Sequence, residues 1–203
     1  MTKTQKLMST LLLFVGVASP KRCSSQGTVV FSNFGAPGAI TNALTAQRAE
    51  VGTTFSVALY FAQDGVSDQG QLVQIGSAIH INVARGIFSG GTYTAPTLEP
   101  GGFGMFQVRV WETSFGPTFE QAVANAAPQS GRLALAGESG ILRVHTGDPT
   151  GLPSPPACLA CAPAVVGAPL SDGFLLNVVP EPGATLLLLL GLPFVLLRRG
   201  RFR

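Results

Sequence analysis

The chain has 203 residues, room for one domain of ordinary size, and only 11 % of them are charged, against the roughly 25 % usual for soluble proteins. With 25 glycines and 15 prolines it is poor in long helices and rich in turns, which points to an all-β chain. The positive charge sits at the two ends: within 26–179 five arginines face nine carboxylates, a mildly acidic interior that argues against a nucleic-acid partner.

Residues 1–18 have the three parts of a secretory signal: Lys3 and Lys6, an apolar stretch over 7–17, and small residues at Gly16, Ala18 and Ser19. The chain is therefore expected to be exported, with 1–25 forming a signal peptide and flexible start. Pro20, Lys21 and Arg22 precede Cys23 where a lipidation site has small or apolar residues, so Cys23 is not read as a lipid anchor.

Short β-like runs follow, separated by turn residues. Residues 28–31 (TVVF) end at Ser32 and Asn33, and 53–61 (TTFSVALYF) is rich in β-branched and aromatic residues and stops at Asp64 and Gly65. Residues 71–75 and 78–83 read as two strands split by Gly76, and 91–94 as another. In 105–111 the period is two: Phe106, Val108 and Val110 face one side, Gln107, Arg109 and Trp111 the other. Thr118 can cap a short helix with Gln121 three residues on; Phe119, Ala122, Val123 and Ala126 share a face at helical spacing, suited to cover an edge or end of the sheets. Residues 140–144 and 174–179 are the last strands. The prolines between Asp148 and Pro169 make 148–170 a loop or linker. The expected fold is an antiparallel β-sandwich of about eight strands with one short helix, spanning 26–179.

Chemistry-bearing residues are sparse. Cys158 and Cys161 stand two residues apart among prolines; in an exported chain a local disulfide is the expected state, and half a zinc site the alternative, with only His80 and His145 to complete it. Ser139 lies in a stretch that lacks the second glycine of a nucleophile elbow, and His145 and Asp148 have no identifiable partner, so no catalytic residue is assigned. Asp64 and Asp68 lack the remaining ligands of a calcium loop and read as a solvated turn. No metal or cofactor is expected. Trp111, Tyr60 and Tyr93 are the candidates for a sugar-stacking platform if they reach the surface, with core packing the default for a single tryptophan.

Residues 184–197 (ATLLLLLGLPFVLL) carry no charge and are followed by Arg198, Arg199, Arg201 and Arg203. As a helix they would cover roughly 21 Å of a roughly 30 Å hydrocarbon core, a marginal span whose arginines stay cytoplasmic and leave the rest of the chain outside. A simple carboxyl-terminal anchor is one reading. Pro180, Glu181 and Pro182 support another, because two prolines around a carboxylate hold the junction extended and accessible.

Pro180-Glu181-Pro182, the apolar run and the arginine tail, in that order, resemble the PEP-CTERM sorting signal of Gram-negative bacteria that make exopolysaccharide. The resemblance covers 180–203. It implies that Pro180, Glu181 and Pro182 are the recognition motif, 184–197 the transient span and the four arginines the stop. It also implies an exosortase-type membrane transpeptidase as partner, which removes the tail and passes the protein to the cell surface or the exopolysaccharide matrix. The function expected is structural or adhesive and non-enzymatic; the alternatives are a carbohydrate-binding module and a secreted hydrolase.

Overall fold

A computed structural model describes residues 26–34, 38–126, 134–148, 157–159, 165–166 and 174–179. The described residues are mostly β with one helix: β1 (Thr28–Ser32), β2 (Ile40–Asn42), β3 (Gly52–Gln63), β4 (Val73–Ile81), β5 (Ser89–Thr94), β6 (Phe103–Glu112), α1 (Phe119–Asn125), β7 (Leu135–Glu138), β8 (Leu142–His145), β9 (Ala157–Cys158), β10 (Val165–Val166) and β11 (Phe174–Val178), with 3-10 turns at Gln69–Gln71 and Thr113–Phe115.

The antiparallel pair β3 and β6 forms the spine, in register from Phe55 opposite Glu112 to Gln63 opposite Gly104. Each strand buries almost its whole length on both faces. On one face Val57, Leu59 and Phe61 pair with Val110, Val108 and Phe106. The smaller sheet, β5-β1-β9, lies over them and adds Val29, Phe31 and Leu159 to the same core. Phe31 packs its ring 4.9 Å from that of Phe88 and 5.1 Å from that of Tyr93. On the other face Ala58, Tyr60 and Trp111 pack against Phe115, Ala122 and Ala126, so the helix is a third layer. Apolar burial on both sides of one sheet is the main cohesive force, at about 25 cal/mol per Å2.

The free edge of β3 carries β4. The far edge of β6 is shared, with β8 along Phe103 to Phe106 and β7 along Arg109 to Trp111. Two residues of β6 separate these pairings, whereas Ser139, Gly140 and Ile141 separate β7 from β8, so the incoming chain holds one extra residue, a bulge. Ser139 closes it: its N–H donates to the Val108 carbonyl at 2.9 Å, and its hydroxyl accepts from the Val108 N–H at 3.0 Å in place of a ladder carbonyl. Beyond β7 the sheet continues through β11 to β2.

Several expectations hold. The alternation of β6 is as read, α1 starts at a Thr118 cap whose hydroxyl accepts from the Gln121 N–H, and residues 174–178 pair back into the sheet. Others are corrected. The sheet is mixed, not antiparallel throughout, because β9 runs parallel to β1 and β11 parallel to β2. Gly76 does not divide two strands: it sits within β4 at φ +64°, where the β3 register slips between Val57 and Leu59, and the Tyr93 ring leaves no room for a Cβ. The described parts of the proline-rich stretch are strand pieces, since β9 joins the small sheet and β10 pairs with β8. The helix covers a sheet face, not an edge.

Candidate functional site

The sequence-predicted sorting elements, Pro180, Glu181, Pro182, residues 184–197 and Arg198, Arg199, Arg201 and Arg203, lie outside the described residues, as do residues 1–25 and Cys161. What leads into them is described. β11 lies between β7, antiparallel, and β2, parallel. Past its end the Val179 N–H still donates to the Ala134 carbonyl at 3.0 Å. The body is therefore tied down to the residue before Pro180. Beside this exit is an open groove of about 310 Å3, lined by Phe119 and Val123 of α1, by residues 136–138 of β7 and by Asn177, Val178 and Val179. Among the described residues no helix is long and apolar enough to cross a membrane.

The three aromatics proposed as a sugar platform are not brought together, which corrects that expectation. Trp111 is 0 % and Tyr60 2 % exposed, both beneath the helical layer, while Tyr93 is half-buried in the core on the opposite side of the spine. The Trp111 ring meets that of Phe119 edge-on at 6.4 Å, and its indole N–H donates to the Gly116 carbonyl at 2.8 Å. The Tyr93 hydroxyl donates to the Ser77 carbonyl at 2.7 Å, and burial raises its pKa. The polar face of β6 is covered by α1, so neither Trp111 nor Tyr60 offers a face on which a sugar could stack.

Sequence reading missed the polar centre of that covered face. Arg109, 6 % exposed, has an acceptor at each guanidinium nitrogen: Nε donates to Gln107 Oε1 at 2.9 Å, Nη1 to Glu120 Oε1 at 2.9 Å and Nη2 to the Gln69 carbonyl at 2.8 Å. Glu138 adds a longer ion pair at 3.7 Å. The guanidinium lies 4.1 Å from the Tyr60 ring centroid and 5.2 Å from that of Phe119. Glu120 bridges, because its second oxygen accepts from the Tyr60 hydroxyl at 3.1 Å. Burial, then the Glu120 charge, push the Tyr60 pKa well above its ordinary 10.0. With an acceptor at each nitrogen, Arg109 pins the helix, the Gln69–Gln71 turn and the sheet together. Its signal in the sequence was a lone charge inside an aromatic strand, with Glu120 in the first turn of the helix that follows.

The remaining candidates are structural. The Ser139 hydroxyl donates to the Gly140 carbonyl at 2.8 Å as well as accepting from Val108, so it is held in the bulge. His145 packs 4.9 Å from the Phe103 ring, and His80 Nδ1 lies 3.2 Å from the Phe55 carbonyl oxygen. Among the described residues no three His, Cys, Asp or Glu side chains gather as a metal site. Asp64 is no free turn carboxylate: Arg143 grips it at 2.7 and 2.8 Å, which holds its carboxyl below the usual range, and the same guanidinium lies 3.8 Å from the Phe103 ring centroid. This exposed pair orders the turn and contributes little to stability. Cys158 is disulfide-bonded; the other two cysteines, Cys23 and Cys161, lie outside the described residues.

In comparisons with known proteins, no family model, no curated protein and no solved structure matches the chain.

Proposed function

We propose that this chain is an exported, non-enzymatic surface or extracellular-matrix protein, sorted through its carboxyl-terminal Pro-Glu-Pro signal and acting in structure or adhesion. The observation that carries the reading is the order Pro180-Glu181-Pro182, fourteen uncharged residues, then Arg198, Arg199, Arg201 and Arg203. Three features support it. The amino end has the parts of a secretory signal. Cys158 is in a disulfide, a bond that persists in oxidising compartments. The body is tied down as far as Val179, the residue before the motif. We read the exported body as a variant sandwich, with the small sheet as one leaf, the spine sheet as the other and α1 covering the outer face of the spine.

The proposed order of events is export, a transient stop in the inner membrane at residues 184–197, and removal of the tail by an exosortase-type transpeptidase, followed by passage to the surface or an exopolysaccharide matrix. Sugar stacking on Trp111 and Tyr60 is no part of this reading, because both rings are covered. The test is mass spectrometry of the mature protein from its native host. A carboxyl terminus at or just after Pro182 is expected; an intact tail on the surface-located protein would overturn the sorting reading.

A further inference from the structure

The groove beside Val179 is formed where α1, β7 and the end of β11 meet. Its apolar side chains are Phe119, Val123, Val178 and Val179, and Glu138 gives it a carboxylate. Glu120, 58 % exposed at its side chain, adds a second carboxylate on the same side of the sheet, while the cation they share, Arg109, is buried between them. Among the described residues no lysine or arginine lines the groove.

Where the chain leaves the body fixes what this groove can meet. Residues 180–184 reach at most about 18 Å when fully extended. If the apolar run enters the membrane at Ala184, as the sorting reading holds, the groove faces the membrane boundary at that distance or less. We propose that it seats a side chain of the membrane-bound enzyme that reads the tail, so that the motif is recognised together with the folded surface next to it. The proposal rests on the sorting reading. The matching chemistry is an apolar side chain flanked by a basic group, to satisfy Phe119, Val123 and Val179 on one hand and Glu138 on the other. A lipid headgroup surface is disfavoured, because lipid-facing patches gather lysine and arginine and this one carries carboxylates. The chain's own tail is disfavoured too, because Val178 and Val179 line the groove themselves and a tail that starts at Pro180 would have to reverse at once, at a proline, to reach it.

The experiment follows tail removal by pulse-chase of the full chain in its native host. Asn177→Arg is the main variant: Asn177 is exposed, lines the groove and faces Ala136 across the ladder, so an arginine there blocks the groove and repels a basic partner with little cost to the fold. Processing is expected to slow by about tenfold with the melting temperature unchanged. A Gly-Ser spacer of about six residues between Val179 and Pro180, which adds roughly 13 Å of slack, is expected to slow it equally, and Asn177→Arg is expected to add nothing in the spacer background. A photo-crosslinker at position 177 should label the tagged processing enzyme. Wild-type processing of Asn177→Arg, multiplicative effects of the two changes, or labelling of lipid alone would each overturn the proposal while leaving the sorting reading standing. Should Asn177→Arg lower the melting temperature, Val123→Lys takes its place with the same expected slowing, and normal processing of that variant would overturn the proposal. Retention of the tail by the unaltered chain would overturn the sorting reading and this inference with it.

Discussion

The Arg109 guanidinium stands 4.1 Å from the centroid of the Tyr60 ring, and Glu120 holds both, taking one hydrogen bond from Arg109 and one from the tyrosine hydroxyl. A charge inside a sheet is tolerated only when its donors are met, and here the ring, the carboxylate and a backbone carbonyl meet them. The arrangement welds α1 to the spine.

It also sets a pH dependence. In the unfolded chain Tyr60 ionises near 10.0, whereas in the fold burial and Glu120 keep it protonated to higher pH. Between those two values the unfolded state binds fewer protons than the folded one, so stability falls as pH rises. The contribution is intact below about pH 10 and lost progressively above it. Urea denaturation at a series of alkaline pH values should show this fall, and Tyr60→Phe should make it shallower. Tyr93, raised by burial as well, contributes in the same direction and accounts for part of the fall left in that variant. An identical slope in wild type and Tyr60→Phe would show that the pair does not carry the effect.

Trp111 is the one tryptophan of the chain and is fully buried. Its fluorescence should be blue-shifted in the folded protein, shift red on unfolding, and stay unchanged when exopolysaccharide fragments are titrated in. Trp111→Ala should cost about 3–5 kcal/mol, because the cavity left beneath α1 lies between two layers that cannot both collapse into it.

Gly137 lies where β7 passes β11, and a Cβ there would meet the Leu175 carbonyl oxygen at 2.3 Å, a backbone atom that cannot swing away. Gly137→Ala should therefore destabilise the protein by about 2 kcal/mol by prising β11 from the sheet. Gly140, with open space around it, is the control, and Gly140→Ala should change stability by less than about 0.5 kcal/mol. Guanidinium denaturation of the two variants makes the comparison.

Among the described residues the two-residue strand β9 pairs with β1 alone, yet the residue after it, Leu159, is fully buried in the main core. Cys158 in this strand is disulfide-bonded, and a bond to Cys161 would close a short loop that limits the freedom of the unfolded chain next to the ladder. Reduction, or Cys158→Ser, should lower stability by about 2 kcal/mol, as the loop-closure relation gives for so short a loop, seen as a lower melting temperature under a thiol reductant. Peptide mapping would identify the partner, with Cys161 expected from the sequence.

Local patterns in the sequence were enough for much of the β body. The β-branched and aromatic runs located β1, β3, β5 and β6, and the period of two sorted the side chains of β6 correctly between two faces. A Thr118 cap with helical apolar spacing located α1. Weak local signals hid the rest: β7 is a short stretch with a glycine in it, and β9 and β10 are two-residue pieces among prolines that exist only because β1 and β8 offer them an edge. Gly76 read as a break because a sequence does not show that a neighbouring strand will follow the chain across a bulge.

Alternation tells which residues share a face but not what covers that face, and here this decided the fate of the candidate site. Whether Trp111 would stack sugars or fill a core depended on α1 folding across β6, a contact between segments that periodicity does not link. The same contact made Arg109, which alternation only placed on the face of Trp111, a buried anchor, and the one-residue mismatch between β7 and β8 made Ser139 a bulge closure. The proposal of an export signal at residues 1–18 and of a sorting tail from Pro180-Glu181-Pro182 onward rests on the sequence by itself, since charge and hydropathy along a line are what such signals consist of. Only the tertiary structure decided that the body is tied down to Val179 and that a groove opens beside it, because both depend on β11 closing onto β7 and β2, segments far from it in the sequence.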